Sequence, residues 1–189
     1  MILPQKFYNK PTLEVAQELI GKKLIRQTDK EKLTGRIIET EAYIGQKDKA
    51  CHASKGKTKR TEVMFGPAGF WYIYLVYGMY YCLNIVTEEN RFPAAVLIRA
   101  LEPNEGILKM KQNRNKEKVK DLSSGPGKLC QALNINKSLN RKKSFNKSSS
   151  LWVEDDGYIV NNREIKTAKR IGVDYAGKYW ANKKWRFYA

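Results

Sequence analysis

The most informative stretch of the chain is Phe70–Val86, which reads FWYIYLVYGMYYCLNIV. β-Branched and aromatic residues dominate both sides of Tyr77-Gly78-Met79, and such residues favour strands, whereas a glycine between two strands favours a turn. The stretch therefore predicts a β-hairpin with an aromatic tip. Two interpretations of its rings stay open. Large rings at strand spacing commonly form a core, whereas Tyr77, beside a glycine, suits a wedge between base pairs or a platform for an unpaired base.

A second strand is predicted at Gly35–Tyr43, where β-branched and charged residues alternate with a period near two. In that register Ile37, Glu39, Glu41 and Tyr43 share one face. A strand interior is an unfavourable place for two carboxylates unless they have partners or a chemical role. Glu41, on a rigid strand beside an aromatic residue, is a candidate general base for water. A salt-bridged or exposed glutamate is the common alternative.

The remaining pattern mixes helices and strands without a strict βαβ alternation, which favours an α+β fold with a largely antiparallel sheet. Apolar spacing and terminal signals predict helices over 11–21, about 105–114 and 123–133. Strand-like runs occupy 94–100, 151–153, 158–160 and 185–188, while 45–62 and the Lys/Ser/Asn-rich stretch 140–150 are predicted to be loops. The length of 189 residues fits a single self-supporting domain over 1–189.

Charge points to a polyanionic partner. The chain has 36 Lys and Arg against 19 Asp and Glu, a formal charge of +17, which favours nucleic acid. On charge alone, a ribosomal, membrane-surface or merely basic protein stays open. Cys51, Cys82 and Cys130 form no CxxC pair, which suits a reducing interior. No charged leader and no apolar run near ~18 residues is present, so we expect a soluble, intracellular protein with no membrane span.

Three further polar side chains are site candidates, and each also has a plain structural interpretation. His52 is the only histidine and could be an acid, a ligand or a pocket donor, although a lone loop histidine is commonly none of these. Asn84 and Arg99 interrupt apolar strands, where each needs an internal partner or a ligand. We expect no metal, because the chain has one histidine and no second Cys/His pair besides Cys51-His52. We also expect no cofactor, because the GxGxxG motif of dinucleotide-binding proteins is absent.

A glycine-rich segment at 123–128, SSGPGK, precedes the third predicted helix. Backbone N–H groups at a helix start can bind a phosphate, so Gly127 and Lys128 are candidate phosphate contacts. The GxxxxGK[ST] spacing of a P-loop is absent. A simple capping turn is the alternative interpretation.

Read together, these segments closely resemble the alkyladenine, or 3-methylpurine, DNA glycosylase family. The resemblance runs from about Leu19 to Tyr188 and is specific, because several long motifs occur in a fixed order. They are GRIIETEAY at 35–43, DKACH at 48–52, MFGP at 64–67, YIYLVYGMYYCLN at 72–84, RALEP at 99–103 and SGPGKLCQAL at 124–133. The resemblance implies a single compact mixed domain around a curved, largely antiparallel sheet with a protruding hairpin, in agreement with the pattern above.

The resemblance also implies roles at matched positions. Glu41 resembles the general base that activates water, and Arg99 resembles the residue that helps to hold that water and the sugar-phosphate. Tyr43, His52 and Tyr74 resemble the walls between which a flipped base stacks.

Two further roles, and two departures, follow from the same resemblance. Tyr77 resembles the wedge that fills the vacated stack, and Asn84 resembles the residue that crowds the exocyclic amine of ordinary guanine. Thr61 stands where Asn is common, which is expected to change a loop hydrogen bond. The sequence ends at Ala189, where many relatives continue, so a tail contribution to the pocket rim is expected to differ.

The function that the resemblance implies is a monofunctional DNA glycosylase. It would flip alkylated or deaminated purines from double-stranded DNA, hydrolyse the N-glycosidic bond and so start base excision repair. We expect a monomer that hands its product to an abasic-site endonuclease, located in the cytoplasm with the nucleoid if bacterial and otherwise in the nucleus. A non-catalytic basic nucleic-acid-binding protein and an RNA- or ribosome-associated protein are the alternatives.

Overall fold

An eight-stranded antiparallel sheet organises the chain in the computed structural model, which describes residues 1–161 and 163–189. The strands are β1 Lys23–Gln27, β2 Lys32–Ile44, β3 Trp71–Val76, β4 Tyr80–Val86, β5 Ala94–Glu105, β6 Leu151–Glu154, β7 Lys166–Ala168 and β8 Arg186–Tyr188. The α-helices are α1 Gln5–Tyr8, α2 Thr12–Glu18, α3 Ile107–Arg114, α4 Pro126–Ala132 and α5 Lys178–Ala181. Short 3-10 helices include His52–Lys55 and Glu62–Phe65. This is the predicted α+β class.

Strand β2 lies at the centre of the sheet. It pairs with β5 along one edge, and with β1 and then β8 along the other, so the strand order is β3-β4-β5-β2-β1-β6. Strand β7 pairs with β8 only. The pairing of β2 with β5 is irregular. Its register places Ile37 opposite Leu101, Glu39 opposite Ala100 and Thr40 opposite Ile98. One residue of β2 and then one of β5 are therefore skipped, as in β-bulges, which bend a strand and increase its twist.

This irregularity corrects one sequence-based prediction. Ile37 does not share a face with Glu41, because the extra residue between Ile37 and Glu39 reverses the alternation of side chains. Ile37 packs in the main hydrophobic core together with Ala42. Glu39, Glu41 and Tyr43 are thereby directed to the opposite face of the sheet.

The sheet buries side chains on both faces. One face packs against α2, α3 and α4 and forms the main core, in which Trp71 is fully buried and donates its indole N–H to the Leu151 carbonyl at 3.0 Å. The other face carries a smaller apolar cluster, which includes Tyr72 together with Cys51 and Met64 of the 45–65 segment. Alternation along β3 thus assigns Trp71 to the core and Tyr72 to the face that holds Glu41.

Most of the predicted elements are confirmed. The hairpin is formed by β3 and β4, the helices at 11–21, 105–114 and 123–133 correspond to α2, α3 and α4, and the strands at 94–100, 151–153 and 185–188 correspond to β5, β6 and β8. The strand predicted at 158–160 is wrong, since this segment has no regular structure. Val160 packs against the main core instead, and Tyr158 lies over the Arg36 guanidinium at 3.9 Å.

The segment 45–62 is not the simple surface loop that its basic composition predicts. Asp48, Ala50, Cys51 and Ala53 are buried, because the segment folds back under the hairpin and covers the second face of the sheet. All three cysteines are buried and free. Among the residues that the structure describes, no helix combines the length and the apolar character needed to cross a membrane.

A buried hydrogen bond joins β2 to α2 and gives a stability prediction. The Thr40 hydroxyl donates to the Ala16 carbonyl at 2.8 Å, and the helical partner of that carbonyl is lost because the Ile20 N–H donates to Gln17 instead. We expect Thr40→Val to lower the free energy of unfolding by about 1–2 kcal/mol, since the carbonyl then stays buried without a donor. Urea unfolding measures this. The exposed Thr167→Val serves as the control, and an equal loss in both variants would contradict the assignment.

Candidate active site

A cavity of about 490 Å³ opens on the Glu41 face of the sheet, beside the hairpin. Its walls come from β2, the His52 segment, β3, β4, β5 and the segment 171–175. The predicted site residues that line it are Tyr43, His52, Tyr74, Tyr77, Asn84 and Arg99. Residues far apart in the sequence are therefore brought to one cavity.

Glu41 lies immediately behind the cavity wall and is fully buried. Its Oε2 accepts a hydrogen bond from the Tyr43 hydroxyl at 2.7 Å, and its Oε1 accepts one from the Ile171 backbone N–H at 2.8 Å. The Arg99 Nη1 lies 3.3 Å from Oε1. Tyr43, Ile171 and Arg99 all line the cavity, so the three groups that bind the carboxylate lie between it and the cavity.

Burial raises the pKa of the Glu41 carboxyl above its ordinary value, because the charged form is poorly solvated in the protein interior. The Arg99 charge, the Tyr43 hydroxyl and the Ile171 N–H oppose this shift without cancelling it. The pKa of Tyr43 is also raised, chiefly by burial and further by the neighbouring carboxylate, so its hydroxyl remains a donor. A buried carboxylate with increased proton affinity is suited to accept a proton from water.

Arg99 is held by two carboxylates. Its Nε donates to Glu39 Oε1 at 3.1 Å, and the same oxygen accepts from Arg186 Nη1 at 2.9 Å. Glu39 and Glu41 are thus matched by Arg99 and Arg186, so the group carries no net formal charge. The sequence does not predict the contact between Arg186 and Glu39, because β8 lies far along the chain and no local pattern indicates that it pairs with β2.

The aromatic wall of the cavity includes the single histidine. His52 Nδ1 lies 2.9 Å from the Tyr72 hydroxyl, and the imidazole lies edge-on to the Tyr74 ring with centroids 4.6 Å apart. The Arg60 guanidinium lies 4.8 Å from the Tyr74 ring centre. The interpretation of His52 as a surface histidine without a role is therefore disfavoured, since the 3-10 helix His52–Lys55 places its ring in the cavity wall.

His52 gives a spectroscopic prediction. Burial, with help from the nearby Arg60 and Lys55 charges, lowers the pKa of His52 from 6.5 to about 4. Because the sequence has one histidine, its imidazole proton signals can be followed by NMR without assignment, and we expect a midpoint about 4. The control is the unfolded chain, in which the imidazole should titrate near its ordinary pKa.

The same shift predicts how stability depends on pH. Below about pH 6.5 the unfolded state binds a proton that the folded site excludes, so the free energy of unfolding should fall as the pH drops toward 4. A native midpoint at 6.5 would contradict this environment.

The hairpin turn presents Tyr77 to solvent. Tyr77 is 88% exposed, and both Tyr77 and Gly78 have positive φ angles, 52° and 69°. Positive φ at both central residues is the pattern of a type I′ turn, which suits Asn or Gly and disfavours a bulky residue. The tyrosine therefore occupies the apex despite an unfavourable backbone conformation.

Asn84 lies on β4 inside the cavity wall and is almost fully buried. Its Nδ2 donates to the Tyr72 carbonyl at 3.0 Å. Asn84 therefore has, within the protein, the hydrogen-bond partner that a polar side chain in an apolar strand requires. This hydrogen bond fixes the orientation of the Asn84 amide beside the cavity.

Gly127 and Lys128 lie in the first turn of α4, next to the hairpin. A Cβ on Gly127 would lie 3.0 Å from the Tyr80 Cβ, so glycine permits the close packing of α4 against β4. The Lys128 ammonium lies 3.3 Å from the Ser124 hydroxyl. Their proposed contact with phosphate stays a prediction, and neither residue is among those lining the cavity.

Thr61, noted in the sequence as a departure, stabilises its own loop. Its hydroxyl donates to the Gly56 carbonyl at 2.9 Å and accepts from the Thr58 N–H at 2.9 Å.

Within residues 1–161 and 163–189, no group of three or more His, Cys, Asp or Glu side chains is arranged to hold a metal ion.

Comparison with known proteins gives one consistent result. The sequence model of the methylpurine-DNA glycosylase family matches residues 6–189. A protein of Methanocella arvoryzae is 53% identical over 99% of this chain and 92% of its own length, and one of Alkaliphilus oremlandii is 50% identical over 100% and 95%. A protein of Legionella pneumophila is 47% identical over 98% and 93%. All three carry the name "Putative 3-methyladenine DNA glycosylase".

Proposed function

The chain belongs to the methylpurine-DNA glycosylase family, and on that basis we propose a residue-level mechanism for it. The protein is a DNA-3-methyladenine glycosylase, a hydrolase of N-glycosyl bonds that acts on DNA. The proposed substrates are 3-methyladenine and 7-methylguanine, with hypoxanthine and etheno-adenine as further purines. The observation that carries the mechanism is the buried Glu41 carboxylate directly behind a ring-lined cavity, held by Tyr43, Arg99 and Ile171.

Access to a base within duplex DNA requires its extrusion from the stack, which costs a few kcal/mol and less at a damaged pair. Tyr77, at the exposed apex of the hairpin, would enter the vacated space and restore part of the lost stacking. The everted purine would then enter the cavity between Tyr43 on one side and His52 with Tyr74 on the other.

Recognition of an alkylated purine would depend on the electron-rich rings of this cavity. N-Alkylation makes 3-methyladenine and 7-methylguanine cationic in the nucleotide, and cation–π attraction to a tyrosine face is worth ~0.5–2 kcal/mol. Asn84, fixed by its bond to the Tyr72 carbonyl, would crowd the exocyclic amine of ordinary guanine. Neutral hypoxanthine and etheno-adenine would rely on stacking without this charge contribution.

Hydrolysis would proceed through a water bound between Arg99 and Glu41. The Arg99–Glu41 contact of 3.3 Å is longer than the bonds to Tyr43 and Ile171, and a water inserted there would still be held by both charged groups. Glu41 would take a proton from this water as the water oxygen attacks C1′ of the sugar. The carboxylate would also stabilise the positive charge that develops on the sugar. The glycosidic electron pair would leave with the purine and leave an abasic site. A cationic alkylated purine thereby becomes the neutral free base, whereas a neutral purine would also take up a proton from water.

Strand cleavage is not expected. A cleaving glycosylase needs an amine nucleophile that forms a Schiff base with the sugar, and no lysine is among the described residues that line the cavity. Monomeric action and transfer of the abasic product to an endonuclease complete the proposal. The basic surface would bind undamaged DNA through its phosphates.

Base release from a defined duplex tests the proposal. The native protein should liberate free 3-methyladenine or 7-methylguanine from alkylated DNA and leave the strand intact until it is treated with alkali. A protein that binds DNA tightly and releases no base would be a non-catalytic binder. A protein for which structured RNA outcompetes the damaged duplex at matched salt would be RNA-associated.

A further inference from the structure

A second buried charged pair lies behind the cavity, away from Glu41. Asp48 and Arg170 both have side chains that are 0% exposed, and they form two bonds, from Nη1 to Oδ2 at 2.6 Å and from Nη2 to Oδ1 at 2.9 Å. Asp48 also accepts the backbone N–H groups of Ile44 and Ala50. Such complete pairing is what a buried carboxylate requires.

Arg170 connects this pair to two of the three residues that hold Glu41, Tyr43 and Ile171. Its guanidinium carbon lies 4.8 Å from the Tyr43 ring centre and 5.0 Å from that of Trp185, so it is enclosed between two rings. Its Nη1 also donates to the Ala42 carbonyl at 2.9 Å. The next residue, Ile171, provides the N–H that binds Glu41 Oε1, while the Tyr43 hydroxyl binds Oε2.

The pairing also controls charge behind the Tyr43 ring. The side chain of Asp48 neutralises a cation that would otherwise stand on the back of a ring proposed to stack on a purine. At an effective dielectric near 20, an unpaired cation beyond the ring would weaken the stacking of a cationic purine by about tenfold or more. A neutral purine would be affected much less.

We infer that Asp48 and Arg170 are positioning residues, which fix Tyr43 and the Ile171 N–H against Glu41 and keep the Tyr43 wall free of net charge for cationic purines. This inference rests on the proposed function. Arg170 touches no reacting atom and acts through its two neighbours. The pair therefore contributes to the choice between cationic and neutral lesions as well as to the rate.

Single-turnover release of 7-methylguanine and hypoxanthine from otherwise identical duplexes tests the inference in three variants. In Arg170→Lys the charge remains, but lysine cannot bond both Asp48 oxygens and lie flat against Tyr43, so both rates should fall about tenfold at an unchanged ratio. In Asp48→Asn the unpaired guanidinium should lower the 7-methylguanine rate about tenfold more than the hypoxanthine rate. In Asp48→Asn/Arg170→Gln the ratio should return to within about twofold of native.

The matched control is Arg36→Lys, because Arg36 also binds an aspartate, Asp156, with both terminal nitrogens and also lies over a tyrosine, but away from the cavity. This control should leave both rates unchanged.

Three kinds of outcome would contradict the inference or its premise. Native rates in Arg170→Lys would overturn the positioning role. An unchanged ratio in Asp48→Asn, or a ratio that the double variant does not restore, would overturn the charge role, since a general loss of folded protein lowers both rates and leaves their ratio unchanged. A native protein that releases neither base would refute the proposed function instead.

Discussion

Replacement of Glu41 by glutamine is expected to lower the single-turnover rate of base release by about a thousandfold, within the range that a positioned general base contributes. Glutamine keeps the size of the side chain, and its carbonyl oxygen can accept one of the bonds now made by Tyr43 and Ile171. It cannot accept a proton from water. Affinity for a damaged duplex should change little, because Glu41 is fully buried and lies behind the residues that line the cavity.

The thermal stability of Glu41→Gln should not fall together with its activity. The pKa of Glu41 is raised in the folded state by burial, so the folded protein holds the proton more tightly than the unfolded chain does. This carboxyl therefore favours folding at acid pH, and that contribution is lost as the pH rises through its folded-state pKa. At neutral pH, Glu41→Gln should melt at the native temperature or higher, a trade between function and stability that buried catalytic charges commonly show.

The pH profile offers a separate check on the same residue. The native rate should fall on the acid side as Glu41 becomes protonated, with a midpoint above the ordinary value for a glutamate. The residual rate of Glu41→Gln should lack this acid limb. Glu102→Gln, an exposed carboxylate on β5, is the matched control and should retain the native rate and profile. Equal release by the native protein and Glu41→Gln would show that Glu41 is not the base.

Local sequence was enough to predict the elements that form from neighbouring residues. The hairpin at 70–86 and the exposed position of Tyr77 follow from strand propensity and a glycine at a turn. The bulge between Ile37 and Glu39 did not follow from periodicity, because a strict period of two contains no signal for one skipped residue. Strict alternation therefore predicts the face correctly for Tyr43 and wrongly for Ile37.

Long-range partners were the part that sequence could not supply. Ile171, Arg170 and Arg186 reach the site because β8 pairs with β2 and β7 pairs with β8. Such pairing depends on the whole core, not on local spacing. A buried arginine and an exposed one have the same sequence signature. The sequence places Asp48 in a basic loop, and no local pattern indicates that it is the buried partner of Arg170.

Replacement of Tyr77 by asparagine should separate the role of the hairpin apex from its structure. The Tyr77 side chain is 88% exposed and has a φ of 52°, a left-handed conformation that asparagine tolerates better than tyrosine. Removal of the ring loses little burial and relieves an unfavourable backbone conformation. We therefore expect the midpoint of thermal unfolding to stay at the native value or to rise.

The same substitution should weaken extrusion of the damaged base by ten- to hundredfold, because one aromatic–base stack is worth ~1–3 kcal/mol. A fluorescent base beside the lesion would report the loss of the extruded state directly, and base release at subsaturating enzyme should fall in parallel. Tyr77→Phe should retain nearly native extrusion, since it keeps the ring. Tyr158→Ala, which removes a half-exposed ring that lies over Arg36, should have no effect. If Tyr77→Asn extruded the base as well as the native protein, the unfavourable backbone at the apex would need another explanation, because a tyrosine retained there without a DNA contact would only reduce stability.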